Sequence, residues 1–179
     1  TGVVDQDVDA AKLIEQVMHG CGDLRSLTQV AMSADRLDAA ALRVGESLYA
    51  IGAAVQDSLT ASGEERGWGH GIVEDYVGHG IGTSMHMDPN VPNYRVSGRG
   101  PKVVEGTTIC IEPMVALGDQ DNYVLDDQWT VVTRDRSRAA HWEHSIAATS
   151  AGLCVLTALD GGEHRLAAIG APFAAIDPT

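Results

Sequence analysis

One imidazole and two carboxylates stand out in this sequence by the company they keep. His79 sits in VGHGIG, held between Gly78 and Gly80, and His86 follows seven positions later in SMHMDPN. Glu112 is embedded in TTICIEPMVAL, between Ile111 and Pro113, and Glu143 lies in AAHWEHSIAAT. A strand buried on at least one face seldom keeps a carboxylate unless it is paired or binds a metal. Strand alternation puts Glu112 on the same face as Cys110 and Met114, an inward-looking face. One imidazole with two carboxylates is a borderline-hard donor set, suited to Mn, Fe, Co or Zn rather than to thiolate-seeking ions. Glycines flank a residue where the backbone needs torsions closed to other residues, or where something must approach it closely. The bland alternatives are a hydrogen-bonded structural histidine and two solvated edge glutamates, and spacing alone does not separate these from a metal site. Of the other histidines, His19, His70, His141 and His164 read as surface or structural.

The elements that must position these groups change character along the chain. Residues 7–57 read as helical, with Ser33 and Ser47 as N-caps, Gly45 as a stop, and Leu48, Ile51, Val55 and Leu59 on one face. Two glycines break the pattern within 18–32, which stays unassigned. ASGEERGWGHG, 61–71, reads as a loop on its glycine content. Beyond it, GIVEDYV, TTICIEPMVAL, WTVVT, HSIAAT and LCVLTAL read as strands of a largely antiparallel sheet. Helices first and strands later imply an α+β fold. The length of 179 residues fits a single domain, 1–179, and 160–179, rich in Gly, Ala and Pro, reads as an irregular tail.

Charge and composition narrow the partners. With 12 basic against 25 acidic residues the net charge is −13, which argues against nucleic acid and anionic membrane surfaces as partners. It is compatible with cationic ligands such as metal ions or a free amino terminus. Aromatic residues make up only 4%, so aliphatic side chains must do most of the packing. Cys21, Cys110 and Cys154 are too few and too scattered for a disulfide framework or a Cys-type zinc site. No apolar run approaches the length of a membrane span, and no signal peptide is visible, so a cytoplasmic location is the expectation.

GHGIGTSMHMDPNVPNY, then IEPMVALG, then DDQWTVVTRDRSRAAHWEHSIAAT together resemble the type I methionine aminopeptidases. That family has the pita-bread fold shared with creatinase and the proline peptidases. The resemblance runs in order over two-thirds of the chain, from about Ser33 to Thr157. It implies a curved antiparallel sheet backed by helices, and a metal-dependent removal of the amino-terminal methionine from nascent proteins, with the ribosome as a candidate partner. By the same resemblance His79 is a metal-ligating histidine. Glu112 binds metal and handles protons, Glu143 bridges two metals, and His86 contacts the scissile amide. Met85 and Trp129 fall where the methionine side-chain pocket is lined, with Tyr76 near it. IEPM and VPNY favour the methionine branch over the proline peptidases, which normally have glycine where Met114 stands.

The sequence departs from the family in one respect. The family's metal centre has two further ligands, aspartates at a fixed short spacing ahead of these motifs. At that spacing Asp5, Asp7, Asp9 and Asp23 meet Gln16, Met18, Gly20 and Ala34, and Asp35 meets Glu46. The reading is therefore of a fold incomplete at its amino terminus. With three matching ligands, one ion or none is expected in place of two, with very low peptidase activity for this chain alone. The alternative is a non-catalytic relative that binds peptide amino termini or a partner protein.

Overall fold

A computed structural model of the chain describes residues 41–67 and 69–176. The helices expected within 7–40, the segment 18–32 and Cys21 lie outside the described residues. The first described helix, α1 (Tyr49–Arg66), is followed by ten short strands and a closing helix, α2 (Glu163–Ala168). The strands are β1 (Gly71–Ile72), β2 (Gly78–Gly80), β3 (Met87–Val91), β4 (Thr108–Ile111) and β5 (Met114–Ala116). They continue as β6 (Asn122–Val124), β7 (Val131–Thr133), β8 (Ala139–His141), β9 (His144–Ala148) and β10 (Leu153–Val155).

Among the described residues all strand pairs are antiparallel, and they form three sheets in the orders β10-β9-β4-β2-β3, β1-β5-β8 and β6-β7. The two larger sheets share their chain. β4 leads into β5 through Glu112-Pro113, while its partner β9 is entered from β8 through Trp142-Glu143. Proline has no N–H to donate to a ladder, so Pro113 breaks the run that was expected as one strand, and the pair of strands bends there. The Trp142 amide donates to the Pro113 carbonyl at 3.3 Å, so both chains turn together.

The core lies on one face of the five-stranded sheet. Ile109, Ile111, Ile146, Ala148, Leu153 and Val155 pack with Leu48, Ile51, Val55 and Leu59 from the start and face of α1. The spacing of those four side chains gives α1 its apolar stripe. Full burial of an aliphatic side chain of this kind is worth roughly 1.5–3 kcal/mol. Arg95, in the loop after β3, anchors the helix from outside. Its amide donates to Gln56 Oε1 at 2.8 Å, and its guanidinium to Asp57 Oδ1 at 2.6 Å.

Four local expectations need correction. Helix α1 runs through ASGEER to Arg66 and ends at Gly67, whose φ of 71° is the left-handed cap conformation. Gly63 is tolerated inside it because a single glycine costs only about 1 kcal/mol relative to alanine. The Ser47 hydroxyl accepts from the Tyr49 amide at 3.2 Å, but Leu48 occupies the cap position. GIVEDYV is not one strand. Gly71–Ile72 pairs with β5 in one sheet while Gly78–Gly80 pairs with β4 in the other, and the step between sheets needs the break at 73–77. Finally, 160–176 is not irregular throughout. Asp160 accepts the Gly162 and His164 amides, α2 follows, and Leu166 and Ala171 join the core while Leu153 bridges to Phe173. Strand β3 went unpredicted because it contains Pro89, and it is tolerated there at the edge of the sheet.

Candidate metal centre

The register across the five-stranded sheet assembles one polar face opposite the core. His79 on β2 pairs with Cys110 on β4, and Cys110 pairs with Ser145 on β9. Paired residues in an antiparallel ladder point to the same side, so these three form a row. Glu112 and Glu143 lie two residues beyond Cys110 and before Ser145, at the bend that both strands share.

The glycines around His79 serve close approach rather than unusual torsions. A Cβ on Gly78 would sit 2.2 Å from the Cys110 carbonyl oxygen, and one on Gly80 would sit 2.3 Å from that of Asp88. Only hydrogen in both places lets β2 lie between β3 and β4 with His79 fully inserted.

Three contacts define the centre. His79 is buried, and its Nδ1 lies 2.9 Å from the Gly80 carbonyl. A carbonyl can only accept, so Nδ1 carries a proton, and the neutral form of the ring presents the lone pair of Nε2. That Nε2 lies 3.3 Å from Glu112 Oε1. The two are close in distance but not aligned as a hydrogen bond, and Oε1 is buried with no hydrogen-bond partner. With the ring in that form, two lone-pair atoms face one another at the bottom of the site. The other carboxylate oxygen of Glu112 lies 3.3 Å from His141 Nε2. The main chain of Glu112 is held separately, by Asn93, whose buried side-chain amide donates to the Glu112 carbonyl at 3.2 Å.

Among the described residues two overlapping groups have donor atoms within 4.8 Å of one another: His79, Cys110 and Glu143, and Glu112, His141 and Glu143. Burial pushes the Cys110 thiol up from the ordinary value, the Ser145 hydroxyl works in the opposite direction, and Glu143 and then Glu112 add to the rise. The imidazoles and carboxylates of the two groups fit a divalent ion of borderline character. The orphaned Glu112 Oε1 opposite a lone-pair nitrogen is what a cation would satisfy.

The structure thus brings His79, Glu112 and Glu143 into one space. His86 stands just outside it, its ring centroid 4.4 Å from that of His79. Met85 and Trp129, in contrast, are exposed at 64% and 87%, and no pocket wall forms around them among the described residues. Trp129 occupies the turn between β6 and β7, which Asp127 closes by accepting the Trp129 and Thr130 amides. Tyr76 is half-buried in the segment between β1 and β2. Sequence reading passed over His141 and Asn93. The only signal for His141 was its place two residues before Glu143. Asn93 sits in VPNY, where a buried asparagine looks like a turn residue.

Comparison with known proteins agrees with this geometry. Residues 13–150 match the profile of metallopeptidase family M24. Methionine aminopeptidase 1 of Mycobacterium tuberculosis is 48% identical over 118 residues, 66% of this chain and 44% of that protein. Methionine aminopeptidase from Thermotoga maritima superposes with a TM-score of 0.69 at 35% identity, covering 76% of this chain and 53% of that one. The enzyme from Rickettsia prowazekii gives 0.67 at 33% identity, covering 77% and 54%. The chain spans about half the length of the relatives it matches. These structures carry the α+β pita-bread architecture expected from the motifs. With its motifs, its sheet and its polar face in agreement, the chain belongs to metallopeptidase family M24.

Proposed function

We propose that this chain carries the metal centre of a methionine aminopeptidase, acting on the amino termini of nascent proteins in the cytoplasm. The observation that carries the reading is the pairing of His79 Nε2 with the orphaned Glu112 Oε1 beside Glu143. His79, Glu112 and Glu143 would hold a divalent ion such as Mn, Fe, Co or Zn. Such an ion, when bound, supplies Lewis acidity and an anchor for the substrate's free amine. The remaining work falls to side chains. Glu112 is the base, taking a proton on its carboxylate and delivering it to the leaving amine. His86, exposed beside His79, hydrogen-bonds the scissile amide. The bend at Pro113 and the Asn93 amide keep the Glu112 main chain fixed while its carboxylate works.

Cobalt or manganese titration of the full chain by calorimetry tests the ligand roles. His79→Ala should abolish affinity, whereas His86→Ala should leave it within about threefold, since removing a group that is not a ligand leaves the donor set intact. Equal losses from both would overturn the assignment.

The exposure of Met85 and Trp129 favours a second reading, a non-catalytic relative that binds amino termini without a selective methionine pocket. A Met-Ala-Ser peptide separates the two. Chelator-sensitive release of methionine supports the peptidase and refutes the expectation that three ligands leave this chain nearly inactive. Binding of the peptide with no release supports the second reading.

A further inference from the structure

The motifs assign three ligands and leave His141 aside. The fold does not. His141 ends β8 opposite Met114 of β5, so the strand paired with the segment just after Glu112 delivers an imidazole to its carboxylate. His141 Nε2 lies 3.3 Å from Glu112 Oε2, while His79 Nε2 lies 3.3 Å from Oε1. The carboxylate is thus flanked by one imidazole on each oxygen. Glu112 is 8% exposed, with Oε1 lacking a hydrogen-bond partner, and the donors of Glu112, His141 and Glu143 fall within 4.8 Å of one another.

We propose that His141 is a fourth cation ligand, so that this chain binds a divalent ion through two imidazoles and two carboxylates. The proposal rests on the metal-centre reading above. Its charge balance is favourable: two carboxylates already neutralise a divalent ion, and a neutral imidazole adds a donor without excess negative charge. Four protein donors of mixed nitrogen and oxygen type are within the range that zinc and its neighbours accept. The competing role is that of a positioning residue, in which His141 only donates a hydrogen bond to Glu112.

The test uses the full chain with Co(II) and Mn(II) as probes. His141→Gln and His141→Ala are compared with wild type by calorimetry, by the visible absorption of bound Co(II), and by pulsed EPR of bound Mn(II), which counts coordinated imidazole nitrogens. A ligand role predicts a loss of Co(II) affinity of more than about a hundredfold, beyond the roughly 10–100-fold typical of losing an outer hydrogen-bonding partner. It also predicts altered Co(II) bands and two coordinated imidazoles in wild type against one in His141→Gln. Unchanged affinity and bands overturn the proposal. So does a single imidazole in wild type, a measurement that needs no variant to fold. His79→Ala keeps the two ideas apart. If it binds Co(II) as tightly as wild type, the metal-centre reading fails whatever His141 does. If it loses the ion while His141→Gln does not, only the fourth ligand is lost.

Discussion

Gly78→Ala probes the link between packing and chemistry directly. The added Cβ would lie 2.2 Å from the Cys110 carbonyl oxygen and 3.2 Å from Val91 Cβ, where ordinary contact begins at 3.4 Å. The first contact is more than an ångström short. Its partner is main chain on the central strand β4, which pairs on its far side with β9 and cannot rotate away as a side chain could. Strand β2 must therefore move off β4, and His79 moves with it. Overpacking of this kind typically costs about 1–3 kcal/mol. In a chain of this size each kcal/mol lowers the melting midpoint by about 2–4 °C, so a fall of roughly 2–12 °C is expected. Separating β2 from β4 also lengthens the 3.3 Å approach of His79 to Glu112, and cobalt affinity should drop by about tenfold or more, as when ligand orientation is disturbed. Gly69→Ala is the control, because a Cβ there meets nothing within 4 Å and its φ is not left-handed. Circular-dichroism melts and cobalt calorimetry on the two variants read both effects. A Gly78→Ala protein that melts and binds cobalt like Gly69→Ala would refute the argument that these glycines exist for close approach.

The other predictions concern groups around the same bend. Asn93→Ala removes the donor to the buried Glu112 carbonyl and should cost about 1–3 kcal/mol, read as a shift in the urea midpoint at unchanged slope. Glu112→Gln should reduce cobalt affinity by about tenfold or more while leaving the metal-free melt near wild type, because it removes a ligand charge but keeps the volume. Asp135 accepts the Ser137 and Asp119 amides, each at 2.8 Å, and these bonds, the Ser137 amide first, hold its carboxyl at about 2 against an ordinary 3.8. A depressed carboxylate contributes stability above its unfolded value that is lost as pH falls through the folded one. Melts from pH 5 to pH 2 should therefore decline less steeply in Asp135→Asn than in wild type; equal slopes would count against it.

The sequence by itself determined the kinship and the core of the site. The order GHG, IEP, WEH marks His79, Glu112 and Glu143 as candidate ligands, because residue type at set places along the chain is visible without any structure. The apolar stripe of Leu48, Ile51, Val55 and Leu59 was legible for the same reason, since helical periodicity is local. Local signals failed where pairing partners decide. Glycine content suggested a loop at 61–66, where α1 runs on to Arg66, and GIVEDYV looked like one strand although only Gly71–Ile72 pairs and the rest links two sheets. Only the tertiary structure decided that Glu112 and Glu143 meet at a bend, that Asn93 holds the main chain there, and that His141 reaches the second oxygen of Glu112. Those facts follow from register between strands distant in sequence, and no window along the chain contains both partners of such a pair.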